Sequence, residues 1–151
     1  MTETLATIAI IASSMLLFGY WFRYTCLLIL SARTARDYAG EVALANQLSF
    51  LEVQARLREP AASDLARLRD LLDRDYAVVR YLLKHASRPV QGESSLEAVM
   101  LGVNYRLMQA WYAMSRRVST SAACRALDEM SMVVAHFANT MGERSAEFSA
   151  A

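Results

Sequence analysis

From Leu5 to Phe22 the chain runs 18 residues without a charge, and between there and Ala32 it carries one, Arg23. A helix that sits in water needs a polar face, and this stretch offers none. At roughly 1.5 Å per residue it is just long enough to cross a hydrocarbon core about 30 Å thick. The segment therefore predicts a membrane anchor, which says more about where the chain works than about what it does.

Aromatic residues place the anchor's inner boundary. Tyr20, Trp21, Phe22 and Tyr24 surround Arg23, and such residues collect where hydrocarbon meets lipid headgroups, with an arginine among them able to keep its guanidinium wet. On that reading the span is Leu5 to Phe22, Arg33 and Arg36 lie farther out, and the apolar run from Cys26 to Leu30 needs cover from protein or interface. In the alternative the span slides to about Ile10 through Leu30, which puts Arg23 at depth. That costs at least ~2.5 kcal/mol and calls for an acidic partner or a lipid phosphate. Within the anchor, Ala9, Ala12 and Ser13 are closely spaced small residues that permit close approach of another helix.

A cleavable signal peptide is the competing explanation of an N-terminal apolar run. Its marks are a basic start, a short apolar region and a small-residue cleavage site. Here the start is acidic, Met-Thr-Glu-Thr, and the apolar region is too long, although Ser31 and Ala32 resemble a cleavage site. Arginines follow the span and only Glu3 precedes it. The positive-inside bias then predicts an N-terminus outside and residues after Arg33 in the cytoplasm, at the inner membrane of a bacterial-type cell.

Residues 33–151 suffice for one small domain with its own core. Two prolines and five glycines in 151 residues, with alanine, leucine, arginine and acids dominating beyond the anchor, predict an all-α chain: residues 1–32 as anchor and juxtamembrane segment, 33–151 as a cytoplasmic bundle of about four helices. A net charge of +1 with interspersed signs argues against nucleic acid. Cys26 and Cys124 are too far apart in sequence to signal a metal pair or a disulfide framework.

No strong breaker follows the anchor, so the spacing predicts one helix from about Thr4 to Arg58, bent at Gly40 and stopped by Pro60. Its buried row is Ala39, Ala43, Asn46, Phe50, Val53 and Leu57, with Leu44, Leu48 and Leu51 as a second row. Asn46 reads as a register-setting polar residue. A second helix starts at a Ser63 cap followed by Asp64 and runs to about Ala86. It buries Leu65, Leu68, Leu72, Tyr76, Val79 and Leu83, leaving Arg67, Asp70, Asp73, Arg74 and Arg80 mostly wet, with Asp70 and Arg74 spaced to pair. Residues 87–93 read as a loop, and Ser94 or Ser95 opens the third helix.

That third helix is apolar on two faces. Leu96, Val99, Val103, Leu107, Ala110, Met114 and Val118 make one row; Leu101, Tyr105, Met108 and Tyr112 make another. Coverage so broad predicts either the central helix of the bundle or a face that docks on a partner, and the second row is the predicted docking face. Trp111 lies between the rows and could anchor either contact, with a place in the core as the preferred reading. After Ser119 to Ser121, a last helix is marked by Leu127, Met130, Val134, Phe137 and Met141 and ends near Gly142 or frays toward Phe148.

Signatures of catalysis are missing: no phosphate-binding glycine loop, dinucleotide fingerprint, zinc-protease motif or recognisable nucleophile. A di-iron bundle site needs Glu-x-x-His pairs, but Leu82 precedes His85 by three and Val133 precedes His136 by three. Asp128 and Glu129 read as solvated or capping charges. The one cofactor candidate is His136, in apolar surroundings with Met130, Met132 and Met141 nearby, which could face the metal of a haem or chlorophyll-type pigment. A packing histidine is the plainer reading, and no cofactor is expected. The chain is expected to be no enzyme and to bind no small-molecule substrate, its partners being membrane lipids and other membrane subunits or its own copies. It reads as an accessory or structural subunit of an inner-membrane complex; the alternative is a membrane-tethered binding or regulatory module.

Overall fold

The structure, a computed structural model, describes residues 1–32, 37–59, 64–85 and 93–150, the side chains of 93–95, 148 and 150 aside. Among the described residues six helices and no strand occur: α1 (Thr2–Ser31), α2 (Ala39–Ala45), α3 (Phe50–Leu57), α4 (Leu65–His85), α5 (Glu93–Ser115) and α6 (Thr120–Ala150). They fall into two units, Met1–Ala32 and Arg33–Ala151.

The first unit is α1. Its 30 residues reach about 45 Å at roughly 1.5 Å per residue, so it is long and apolar enough to cross a membrane, and its most apolar stretch is unburied. Even its hydroxyls are partly withdrawn. The side chains of Thr7 and Thr25 donate to the carbonyls of Glu3 and Trp21 at 2.9 Å each, pairing groups that hydrocarbon would leave unsatisfied.

The continuous helix expected from Thr4 to Arg58 is not formed; three helices take its place. Ala32 is extended, ending α1, and Asp37 and Tyr38 stand outside any helix. Asp37 Oδ1 accepts the Ala39 amide at 3.0 Å, at the start of α2, while the Tyr38 amide donates to Asn139 Oδ1 of α6 at 2.6 Å. Gly40 therefore lies inside α2 rather than at a bend. A second stop separates α2 from α3. Leu48 N donates to Ala43 O and Gln47 N to Leu44 O, the paired closing bonds of a helix whose next residue turns left-handed. That residue is Gln47, with φ 53°, where glycine or asparagine is the usual choice.

Side chains from α4 hold this unfavoured turn. Arg74 Nη2 donates to the Gln47 carbonyl at 2.9 Å, and Asp75 Oδ2 accepts the Ser49 amide at 2.5 Å, at the start of α3. A carboxylate there meets the unpaired amides and the positive end of the helix. Of the predicted buried row, Ala39, Ala43, Phe50 and Val53 are buried, whereas Asn46 and Leu57 are only half-buried.

α4 is capped by Asp64, whose Oδ1 accepts the Arg67 amide at 3.1 Å. Ser63, the predicted cap, lies outside the described residues, as do Arg33, Arg36, Pro60 and most of the predicted loop at 87–93. The side chains of Ser94 and Ser95, the predicted caps of the third helix, are likewise outside them. Asp70 pairs with Arg69 at 2.6 Å instead of with Arg74, which is occupied at Gln47 and Asp75.

The second unit is organised around α6, against which α2, α3, α4 and α5 all pack. The sequence reading offered the third helix for that place. Ala123, Ala126, Leu127, Met130, Val133, Val134, Phe137 and Ala138 are buried, an arc wide enough to face neighbours on several sides, and the helix continues past Gly142 to Ala150. Gly142 is required where it stands: a Cβ there would come within 2.2 Å of Tyr38 Cβ, so only glycine lets the segment before α2 cross α6 this closely.

Candidate functional site

The two faces of α5 carry the surface question, and the structure exchanges the roles the sequence reading gave them. Leu101, Tyr105, Met108 and Tyr112, the predicted docking row, are at most 7% exposed and form core. The other row is outside. Leu96, Val99, Val103, Leu107, Met114 and, just beyond the end of α5, Val118 are exposed, from 45% at Leu107 to 88% at Val118, and Trp111 beside them is 50% exposed rather than in the core where it is expected. Ala110 is exposed as well.

Neighbouring polar residues decide which row turns in. Asn104 is fully buried on the Leu101 side, and its Nδ2 donates to Glu129 Oε1 of α6 at 2.7 Å. Glu129 is itself buried, not solvated as its charge suggested, whereas Asp128 is exposed. Gly102, also on the inner side, leaves room for α4: a Cβ there would meet the Tyr76 hydroxyl at 3.3 Å and Arg80 Nη1 at 3.4 Å.

Between α4 and α5 lies a polar seam. Asp73 Oδ1 accepts the Tyr105 hydroxyl at 2.9 Å and Gln109 Nε2 at 2.7 Å, and Arg69 Nε stands 3.6 Å from Asp73 Oδ2. Asp73 is thus bonded across a helix interface instead of wholly wet. Tyr76 stacks on Tyr105 with ring centroids 3.8 Å apart and planes 2° from parallel, while Arg80 Nη1 donates to the Tyr76 hydroxyl at 3.1 Å. Burial and the Asp73 charge push the Tyr105 hydroxyl far above the ordinary tyrosine range. It therefore stays protonated, as a donor to Asp73 must. The group is chemically a tether between helices.

His136, the cofactor candidate, has its Nε2 2.7 Å from Glu97 Oε1, so ligation through that nitrogen would have to break a link between α6 and α5. His85 is exposed, its Nδ1 2.8 Å from the Tyr81 carbonyl. Among the described residues no three His, Cys, Asp or Glu side chains gather where they could hold a metal ion.

On α1, Ala9, Ala12 and Ser13 are exposed. Tyr20 and Tyr24 stack at 6.3 Å, and Trp21 meets Tyr24 edge-on at the same distance, a cluster one turn deep around Arg23. The residues missed in the sequence are polar: Asp75 and Asn104 fall on buried rows by spacing but carry no apolar signal, and Glu129 lies outside the apolar row of Leu127, Met130, Val134, Phe137 and Met141. Comparisons with protein-family models, with curated proteins and with solved structures find no match.

Proposed function

We propose that this chain is a single-pass membrane protein of the inner membrane, anchored by α1 with the helical unit on the cytoplasmic side, and that it serves as a non-catalytic accessory or structural subunit of a larger membrane assembly. The observation that carries the reading is α1 itself: 30 residues of helix, uncharged from Leu5 to Phe22, with its most apolar stretch unburied and an aromatic cluster around an arginine just after the uncharged run. Ala9, Ala12 and Ser13 give it a patch where another membrane helix can come close, which is how subunits associate where lipid removes the ordinary hydrophobic drive.

Supporting the non-catalytic role, several polar side chains of the helical unit are engaged in holding helices together. Asp73, Asn104, Glu129 and His136 each link two helices. A tethered binding or regulatory module is the second reading, favoured by the exposed apolar row of α5. Purification of the full chain in mild detergent separates the two. The subunit role predicts stoichiometric co-purifying membrane proteins that are lost when Ala9 and Ala12 are changed to leucine, with α1 still in the membrane. Recovery of the chain alone, at the same yield from wild type and variant, would contradict it and favour the tethered module.

A further inference from the structure

The exposed row of α5 is a long apolar strip that the proposed subunit contact on α1 leaves unexplained, and the charges in its own stretch of chain after Glu97 are of one sign. Between Glu97 and Asp128 the chain contains four arginines, Arg106, Arg116, Arg117 and Arg125, and no acid. All four are exposed. Arg106 follows Val103 by three within α5 and so stands beside the strip, while Arg116 and Arg117 lie in the turn that follows Ser115, at the strip's C-terminal end. Trp111 is half exposed near its middle.

An apolar strip with a tryptophan on it and arginines alongside is the composition of a helix that lies in a membrane interface. The apolar side chains enter the headgroup and acyl boundary while the guanidiniums reach lipid phosphates. Charge complementarity selects an anionic surface. The same chain carries α1, so a bilayer that holds α1 stays within reach of α5 at high effective concentration, which lets a weak interfacial contact be occupied. We infer that the Val103, Leu107, Trp111 and Met114 face of α5, with Arg106 and Arg117, is a docking surface for an anionic lipid bilayer. The inference takes its high effective concentration from the proposed spanning α1 and is independent of the subunit role.

The chain's two tryptophans, Trp21 in α1 and Trp111 in α5, allow each claim its own reporter. The full-length Trp21→Phe protein, reporting Trp111 alone, is reconstituted into vesicles of phosphatidylcholine with or without phosphatidylglycerol. Acyl-chain-brominated lipid and aqueous iodide serve as quenchers. In phosphatidylglycerol vesicles Trp111 emission shifts to the blue, loses most of its intensity to brominated lipid and becomes shielded from iodide. High salt, or Arg106→Gln with Arg117→Gln, reverses all three while circular dichroism is unchanged. The Trp111→Phe protein, reporting Trp21, is quenched by brominated lipid in both vesicle types. Trp111 that remains open to iodide and unquenched by brominated lipid in both vesicle types, with Trp21 quenched, overturns the lipid surface and leaves the strip to a protein partner. Trp111 quenched with Trp21 unquenched supports the docking surface and overturns the spanning helix, and neither quenched overturns both.

Discussion

Asp75 is the residue on which most local structure turns, because one fully buried carboxyl holds the start of α3 and neighbours the arginine that holds the end of α2. Among the described residues its Oδ1 has no hydrogen-bond partner, with the Arg74 guanidinium at 3.5 Å as its counter-charge. Loss of water lifts its proton affinity above the ordinary aspartate value of 3.8, against the opposing pull of the Ser49 and Phe50 amides and of Arg74. A carboxyl that holds its proton more tightly when folded favours the fold fully below the unfolded value. That contribution is lost as pH rises through the raised folded value. The melting temperature of the wild type relative to Asp75→Asn should therefore climb as pH falls from neutral toward 3.8, since asparagine keeps an acceptor for Ser49 and does not titrate. A difference that is flat with pH would show that Asp75 is not buried as a titrating acid. The spacing Leu68, Leu72, Asp75, Val79 already places it on the buried row of α4. Charge hides it, because a lone acid in sequence reads as solvated until the amides that need it are in view.

At the scale of elements, the pattern of apolar residues was sufficient for helices and insufficient for their faces. Both rows of α5 have helical spacing and similar bulk, so periodicity cannot say which one turns inward. Asn104 and Gly102 can, since a buried asparagine needs Glu129 and a close approach of Tyr76 needs a missing side chain. The breaks around α2 were illegible for a related reason: the stop at Gln47 depends on Arg74, 27 residues away in sequence, not on a local glycine or proline. The assignment of faces has a direct consequence. Tyr105→Ala and Tyr112→Ala should each destabilise the helical unit by about 3 to 5 kcal/mol, the range for large buried side chains cut to alanine. Val103→Ser and Leu107→Ser should change stability by no more than about 0.5 kcal/mol each, as for ordinary surface positions. Chemical unfolding followed by circular dichroism measures both pairs, and equal losses from the two rows would contradict the exposed strip.

For the molecule as a whole, the all-α class and the long apolar first helix were legible because both follow from composition over many residues, where single errors average out. What the chain assembles with was not, since apolar surface records that cover is needed and not what supplies it. The central claim is that α1 spans the inner membrane and leaves residues after Arg33 in the cytoplasm. A single cysteine at the exposed Lys84 position, in a chain with Cys26 and Cys124 changed to alanine, tests it with a membrane-impermeant maleimide. The account predicts a chain that stays with the membrane after alkaline extraction, resists the reagent in intact spheroplasts and reacts once they are permeabilised. Labelling of Lys84→Cys in intact spheroplasts, or release of the chain by alkaline extraction, would contradict it.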